Sequence, residues 1–162
     1  MIAKRLIGVI TIKNDIGIQS FSYKKYLPLG DPEILVKNLD RWGVDEILLN
    51  VIDRGYANRG PNFELISKIK SIKINTPIIY AGGIDSLENA ERLICEGVDR
   101  LVIEKILLED YSEFEKIYKR IGSQSLILSM PLKFYNKKKL LYFNSITKKE
   151  KNINRNFIKC IQ

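Results

Sequence analysis

No histidine occurs in this chain. Proton transfer near neutral pH would therefore fall to carboxylates, lysines, tyrosines or cysteines with shifted pKa values. The residues best placed for chemistry stand where hydrophobic runs end. After Arg5–Ile12 come Lys13, Asn14, Asp15 and Gly17, at the start of a long excursion in the usual place for a lid. Lys13 is the cation best placed there for substrate, since lysine serves as a phosphate point charge. After Pro77–Ala81 stands Gly82-Gly83, where backbone N–H groups can approach a phosphate and the helix starting near Asp85 adds its positive end. A tight strand-to-helix turn needing only glycine would look the same. At the end of Arg100–Glu104, Glu104 would repel a phosphate, whereas Lys105 would attract one. Cys95 and Cys160 lie far apart and match no metal-ligand spacing, so no metal site is expected and a reducing, cytoplasmic setting fits.

The elements that must hold these residues are well marked. Four nearly continuous apolar runs, Arg5–Ile12, Glu46–Ile52, Pro77–Ala81 and Arg100–Glu104, are each followed by a helical pattern, and a fifth run spans Ser125–Met130. That alternation predicts a parallel α/β protein with its chemistry at the C-terminal ends of the strands. Asp31-Pro32 starts the first helix, with Ile34, Leu35, Leu39 and Trp42 as its stripe and Gly43 as its stop. Pro61 opens the second, striped by Phe63, Ile66, Ile69 and Ile72. Asp85 with Glu88 reads as a capping box for the third, with Leu87, Ala90, Leu93 and Ile94 on one face. Tyr111, Phe114, Ile117, Tyr118 and Ile121 line the fourth, ended by Gly122. The stripes read as core packing rather than cofactor sites. Around Phe134–Phe143 the pattern changes to a β-hairpin arm.

With 162 residues, 45% hydrophobic and 28% charged, the chain has enough material for one core. No apolar stretch approaches the roughly 18 residues of a membrane span, and the strand-like start argues against a signal peptide. The net charge of +8 is uneven. Residues 1–130 hold 18 basic and 18 acidic side chains; residues 131–162 hold nine basic ones against Glu150 alone. A basic end can contact nucleic acid or an anionic surface, or be simply a solvated tail. No RNA-binding signature supports nucleic acid as a partner.

Several motifs keep a consistent spacing over residues 1–143: Ala3-Lys4-Arg5-Leu6-Ile7, Gly30-Asp31-Pro32, Gly43-Val44-Asp45-Glu46, Ile52-Asp53, Gly82-Gly83-Ile84, Gly97-Val98-Asp99-Arg100 and Gly122-Ser123-Gln124-Ser125. Together they resemble the cyclase subunit (HisF-like) family of imidazole glycerol phosphate synthase. The stretch Asn58-Arg59-Gly60-Pro61-Asn62-Phe63-Glu64-Leu65-Ile66 is similar to the paralogous branch associated with surface-polysaccharide gene clusters. The resemblance implies half of a (β/α)8 TIM-type barrel, a fold of about 250 residues when whole. The expected layout is a half-barrel of four βα units, a fifth strand and the hairpin over 1–143, then a basic tail over 144–162. The partner of such a subunit is a glutamine amidotransferase (HisH-like) that supplies ammonia, the substrate is a phosphorylated sugar, and no cofactor is implied. Self-association, or a separately encoded second half-barrel, is expected to close the barrel.

Carried over residue by residue, the resemblance puts Gly82, Gly83, Lys105, Lys13 and Asp53 at the phosphate and substrate site, with Glu104-Lys105 replacing a small polar pair. Arg5, Glu46 and Arg100 match a charged ring at the ammonia entrance, although ordinary ion pairing at strand starts would look alike. The two aspartates that act as acid and base fall at Thr11 and Pro131, a second-strand aspartate at Val51, and a loop lysine at Gln19. Threonine has no useful pKa near neutrality, and proline has neither a side-chain proton nor a backbone N–H. Three functional readings follow: a working subunit with impaired catalysis, a phosphate-binding or partner-docking half-barrel without chemistry, or a remnant with no function.

Overall fold

In the computed structural model, residues 4–55, 59–135, 139–143 and 150–152 are described. The chain separates into two compact units, Met1–Leu128 and Ser129–Gln162. In the first, β1 (Ile7–Lys13) is followed by β2 (Ile16–Phe21), β3 (Lys25–Gly30) and α1 (Pro32–Trp42). Then come β4 (Glu46–Val51), α2 (Phe63–Ser71), β5 (Ile78–Ala81), α3 (Leu87–Cys95) and β6 (Arg100–Ile103). A short α4 (Ile106–Glu109), α5 (Tyr111–Ile121), a 3-10 turn and β7 (Leu126–Leu128) complete it. The sheet order is β3-β2-β1-β4-β5-β6-β7. All pairs from β1 through β4, β5 and β6 to β7 are parallel. Five parallel strands in chain order, four of them followed by helices, form a partial (β/α)8 barrel, as expected.

The excursion after the first strand is built as sheet, an element the periodicity reading left open. Asn14 and Asp15 both have positive φ, 50° and 61°, between the paired residues Lys13 and Ile16. Two-residue hairpins favour this left-handed turn, and Asn and Asp tolerate it at small cost. The meander β1-β2-β3 follows, antiparallel throughout.

The register sorts side chains by face, because residues paired across strands share one side. Ile10, Ile12, Ile47, Leu49, Val51, Ile78, Tyr80, Leu101 and Ile103 form a closely buried set beneath the helices. The other face carries Ile7, Val9, Thr11, Leu48, Asn50, Ile79, Ala81 and Val102, and here Val9 is 56% exposed. Alternation along β1 is thus a decision about which residues meet helices. Filling the helix-facing set is worth about 1.5–3 kcal/mol per large apolar side chain.

The helices begin close to where their sequences suggest, with corrections. Pro32 takes the first turn of α1, and Gly43, at φ 73°, ends it. Its buried residues are Pro32 and Val36, while Ile34 and Trp42 face solvent, Trp42 at 75% exposure. Ile34 and Trp42 are eight residues apart and so lie on the same side of the helix; the sheet meets the other side. The cap of α2 is Asn62, whose side chain accepts from Leu65 N–H, with Pro61 just outside. Ser86, not Asp85, caps α3 by accepting from Asn89 N–H; Asp85 takes the Asn89 side-chain amide at 2.6 Å. On α5, Phe114 and Ile117 are buried, whereas Tyr111 and Tyr118 are exposed.

The second unit holds the expected hairpin, β8 (Leu132–Tyr135) against β9 (Lys139–Phe143), with β10 (Glu150–Asn152) added on the far side of β9. All its pairing is antiparallel. The sequence-based division after residue 143 falls inside this unit. Apart from Glu150–Asn152, the basic tail over 144–162, with Cys160, lies outside the described residues.

Candidate functional site

Two polar clusters occupy opposite ends of the parallel strands. At the C-terminal ends, the β1–β2 turn meets the loop after β4 and the loop after β5. Asp53 accepts the Asn14 N–H through Oδ2 at 2.9 Å. Its Oδ1 is buried with no hydrogen-bond partner among the described residues. Asp15 Oδ1 takes the Asn62 side-chain amide at 2.5 Å and stands 3.7 Å from the Arg54 guanidinium. Asn62 is fixed in turn by Tyr80, whose hydroxyl accepts the Asn62 N–H at 2.7 Å. Burial pushes the Tyr80 phenol up to about 12, with the Asn62 bond opposing it. It is neutral across the working pH range.

Gly82 and Gly83 lie at the end of β5 with φ of 130° and 70°. A Cβ on Gly82 would fall on the Val51 carbonyl, and one on Gly83 would fall on the Gly60 carbonyl and come within 3.1 Å of Arg54 Cβ. Glycine is therefore required by the close approach of the β4 loop. The turn lies directly beside Arg54 and Gly55. The start of α3 is less open than expected: Leu87 N–H donates to Glu113 Oε1 at 2.8 Å. The Lys116 ammonium and that bond hold the Glu113 carboxyl below its ordinary value. The helix terminus thus already has an anion from α5 against its positive end.

Among the expected cations, Lys13 stacks on the Tyr26 ring, its Nζ 3.9 Å from the centroid. Lys105 stands at the start of α4 with Glu109 at 3.6 Å. Arg54, which sequence reasoning passed over, is a basic side chain beside Gly83. Its only local signal was its place directly after Asp53. Tyr80 and Asn62 were also missed, since an apolar-run tyrosine and a loop asparagine carry no motif.

Thr11 faces the interior side of the sheet, half-buried. The register sets it level with Asn50, Ala81 and Val102, a row without a titratable group. Val51 faces the helices, 2% exposed, and Gln19 is exposed on β2 opposite Leu27. Pro131 belongs to the second unit, just before β8.

At the N-terminal ends, Arg5, just before β1, comes together with Glu46 of β4 and Arg100 of β6. Glu46 is buried, and its Oε1 accepts from Arg5 Nη1 at 3.4 Å and from Arg100 Nη2. Arg100 reaches it across β5. Glu46 Oε2 is buried without a hydrogen-bond partner among the described residues. One carboxylate between two guanidiniums gives the three-residue cluster a net positive charge, while Asp45 and Asp99 cap the neighbouring strand starts. Burying Glu46 would be costly without its arginine partners.

Parallel strands with polar loops at one end and a buried charge cluster at the other define a barrel-type α/β protein of the (β/α)8 class. The chain belongs to the histidine biosynthesis protein family, whose profile matches residues 5–157. It is similar to a Vibrio vulnificus protein provisionally named imidazole glycerol phosphate synthase subunit hisF2, 32% identical over 130 residues, covering 80% of this chain and 47% of the relative. A hisF2 protein of Pseudomonas aeruginosa, also provisionally named, is 32% identical over 80% of this chain and 51% of its own length. The imidazole glycerol phosphate synthase subunit HisF of Pyrococcus furiosus is 29% identical over 85% of this chain and 54% of its own length. The chain spans about half the length of the curated relatives it matches. No helix among the described residues is long and apolar enough to cross a membrane.

Proposed function

We propose that this chain is a HisF-like cyclase-family subunit that receives ammonia, released from glutamine by an amidotransferase (HisH-like) partner, at the Arg5–Glu46–Arg100 end. A phosphorylated sugar is held at the opposite strand ends, near Gly82, Gly83, Lys105 and Asp53, with Lys13 assisting. The observation that carries this reading is the buried Glu46 joined to Arg5, just before β1, and to Arg100 of β6. Burying a carboxylate is costly, and a docking face with a polar opening would account for keeping it there. The similarity to hisF2-named proteins supports a paralogous branch; a polysaccharide sugar as its substrate rests on the resemblance of the stretch from Asn58 to Ile66 alone.

A second reading, a binding and docking module without chemistry, is favoured by the row at Thr11. Threonine there, with Asn50, Ala81 and Val102 beside it, offers no group that titrates near neutrality. Removing a positioned acid or base costs about 10²–10⁴-fold in rate. The purified chain should therefore show no ammonia-dependent cyclisation of the histidine-pathway substrate. Calorimetry should still detect ribose 5-phosphate. Turnover at ordinary enzyme rates would end the impaired-catalyst reading, and absence of any sugar-phosphate binding would end the site assignment.

A further inference from the structure

Among the described residues, the loop residue Arg54 has an incomplete set of partners. Its guanidinium carries five N–H donors, its side chain is 23% exposed, and its ion pair among the described residues is a single long contact, 3.7 Å to Asp15 Oδ1. Asp15 is itself 66% exposed and already takes the Asn62 amide at 2.5 Å. Arg54 is held in place from behind: its Cβ stands within 3.1 Å of where a Cβ on Gly83 would be, and its carbonyl accepts from Arg59 N–H at 3.4 Å. A cation anchored at its base and weakly paired at its tip, beside a glycine turn that no side chain can enter, is arranged to change partners.

We propose that Arg54 is the anion-binding side chain of the strand-end site, and that Asp15 is its internal stand-in, occupying Arg54 until a phosphate takes its place. This rests on the reading of that site as a sugar-phosphate site. The ligand class follows from what the site offers. Arg54 supplies planar donors for a phosphate or carboxylate. Asp53 Oδ1, buried and without a partner among the described residues, can accept a hydroxyl or amide proton. A phosphate monoester of a polyhydroxy compound satisfies both; inorganic phosphate satisfies only the first. Exchange costs little, because an exposed ion pair of this length is weak. The β1–β2 turn keeps its second tether, Asn14 N–H to Asp53, when Asp15 lets go.

The experiment is calorimetric titration of the full chain with ribose 5-phosphate and, separately, with inorganic phosphate. The comparison is between wild type, Arg54→Gln and Asp15→Asn, with urea melts showing that each variant is folded. Arg54→Gln should weaken both ligands about tenfold or more, the usual scale for losing a charge-assisted bond. Asp15→Asn should tighten both about two- to fivefold by removing the competitor. Ribose 5-phosphate should bind more tightly than inorganic phosphate. If Asp15 and Arg54 form only a structural latch, both variants lose stability and neither changes affinity in this way, which overturns the proposal while leaving the sugar-phosphate site intact. If wild type binds neither probe, the sugar-phosphate reading fails and Arg54's role with it. An unfolded Arg54→Gln shifts the decision to Asp15→Asn, where unchanged or weaker binding counts against competition.

Discussion

Replacing Tyr80 by phenylalanine removes one oxygen from a side chain that is fully buried within β5. That oxygen accepts the Asn62 N–H at 2.7 Å, and Asn62 is itself 2% exposed. The variant keeps the ring and its packing but leaves a buried donor without an acceptor. Such an orphan costs about 1–3 kcal/mol. For a unit the size of Met1–Leu128, this corresponds to a Tm lowered by roughly 3–15 °C. A pH dependence adds a second signature. The phenol is raised from 10.0 to about 12 by burial, so the unfolded chain ionises first as pH climbs. Stability from keeping Tyr80 neutral is present below pH 10 and is lost as pH rises toward the folded value, at ~1.4 kcal/mol per pH unit. A phenylalanine ring has no proton to lose and cannot show that dependence. The gap between wild type and Tyr80→Phe should therefore be largest near pH 7 and shrink by about 1.4 kcal/mol at pH 11. Urea melts at both pH values, with unchanged slope m, measure it. A gap below about 0.5 kcal/mol at pH 7 would refute the claim that the hydroxyl satisfies a buried amide. A gap that stays constant from about pH 9 to 11 would refute its desolvation.

Two further outcomes are expected. Asp40 accepts from the Thr76 hydroxyl at 2.7 Å, Thr76 N–H at 3.0 Å and Asn75 N–H at 3.1 Å, and the Thr76 bonds hold its pKa below 3.8. Its stabilisation is present above 3.8 and lost as pH falls through the lowered folded value. Asp40→Asn should thus melt below wild type at about pH 6 and converge with it in strong acid; a difference unchanged by pH would refute the charge's role. The interior-facing Ile7 and Val9 are exposed. Light scattering at micromolar concentration should show a dimer or larger species, a second copy covering this apolar surface; a stable monomer would exclude self-association through it.

Strand and helix identity was legible in the chain, because it depends on the spacing of neighbours. Glu46-Ile47-Leu48-Leu49 and Ile78-Ile79-Tyr80-Ala81 are apolar enough for covered parallel strands, and Pro32, Gly43 and Gly122 mark helix ends by their own backbone preferences. The meander was half-legible, since Asn14-Asp15 suits a left-handed turn only if the flanking residues pair. The Arg5, Glu46 and Arg100 cluster was suggested by resemblance, but its closure on one buried oxygen depends on strand register, which brings residues 54 apart to the same face. Tertiary structure alone decided that Ile34 and Trp42 turn outward and that Glu113 occupies the start of α3. It also decided that Arg54 stands beside the Gly83 turn. Periodicity says that a helix has an apolar side and a loop has charges. Which side meets the sheet, and which charge meets which partner, is set by contacts between segments whose separation along the chain carries no local signal.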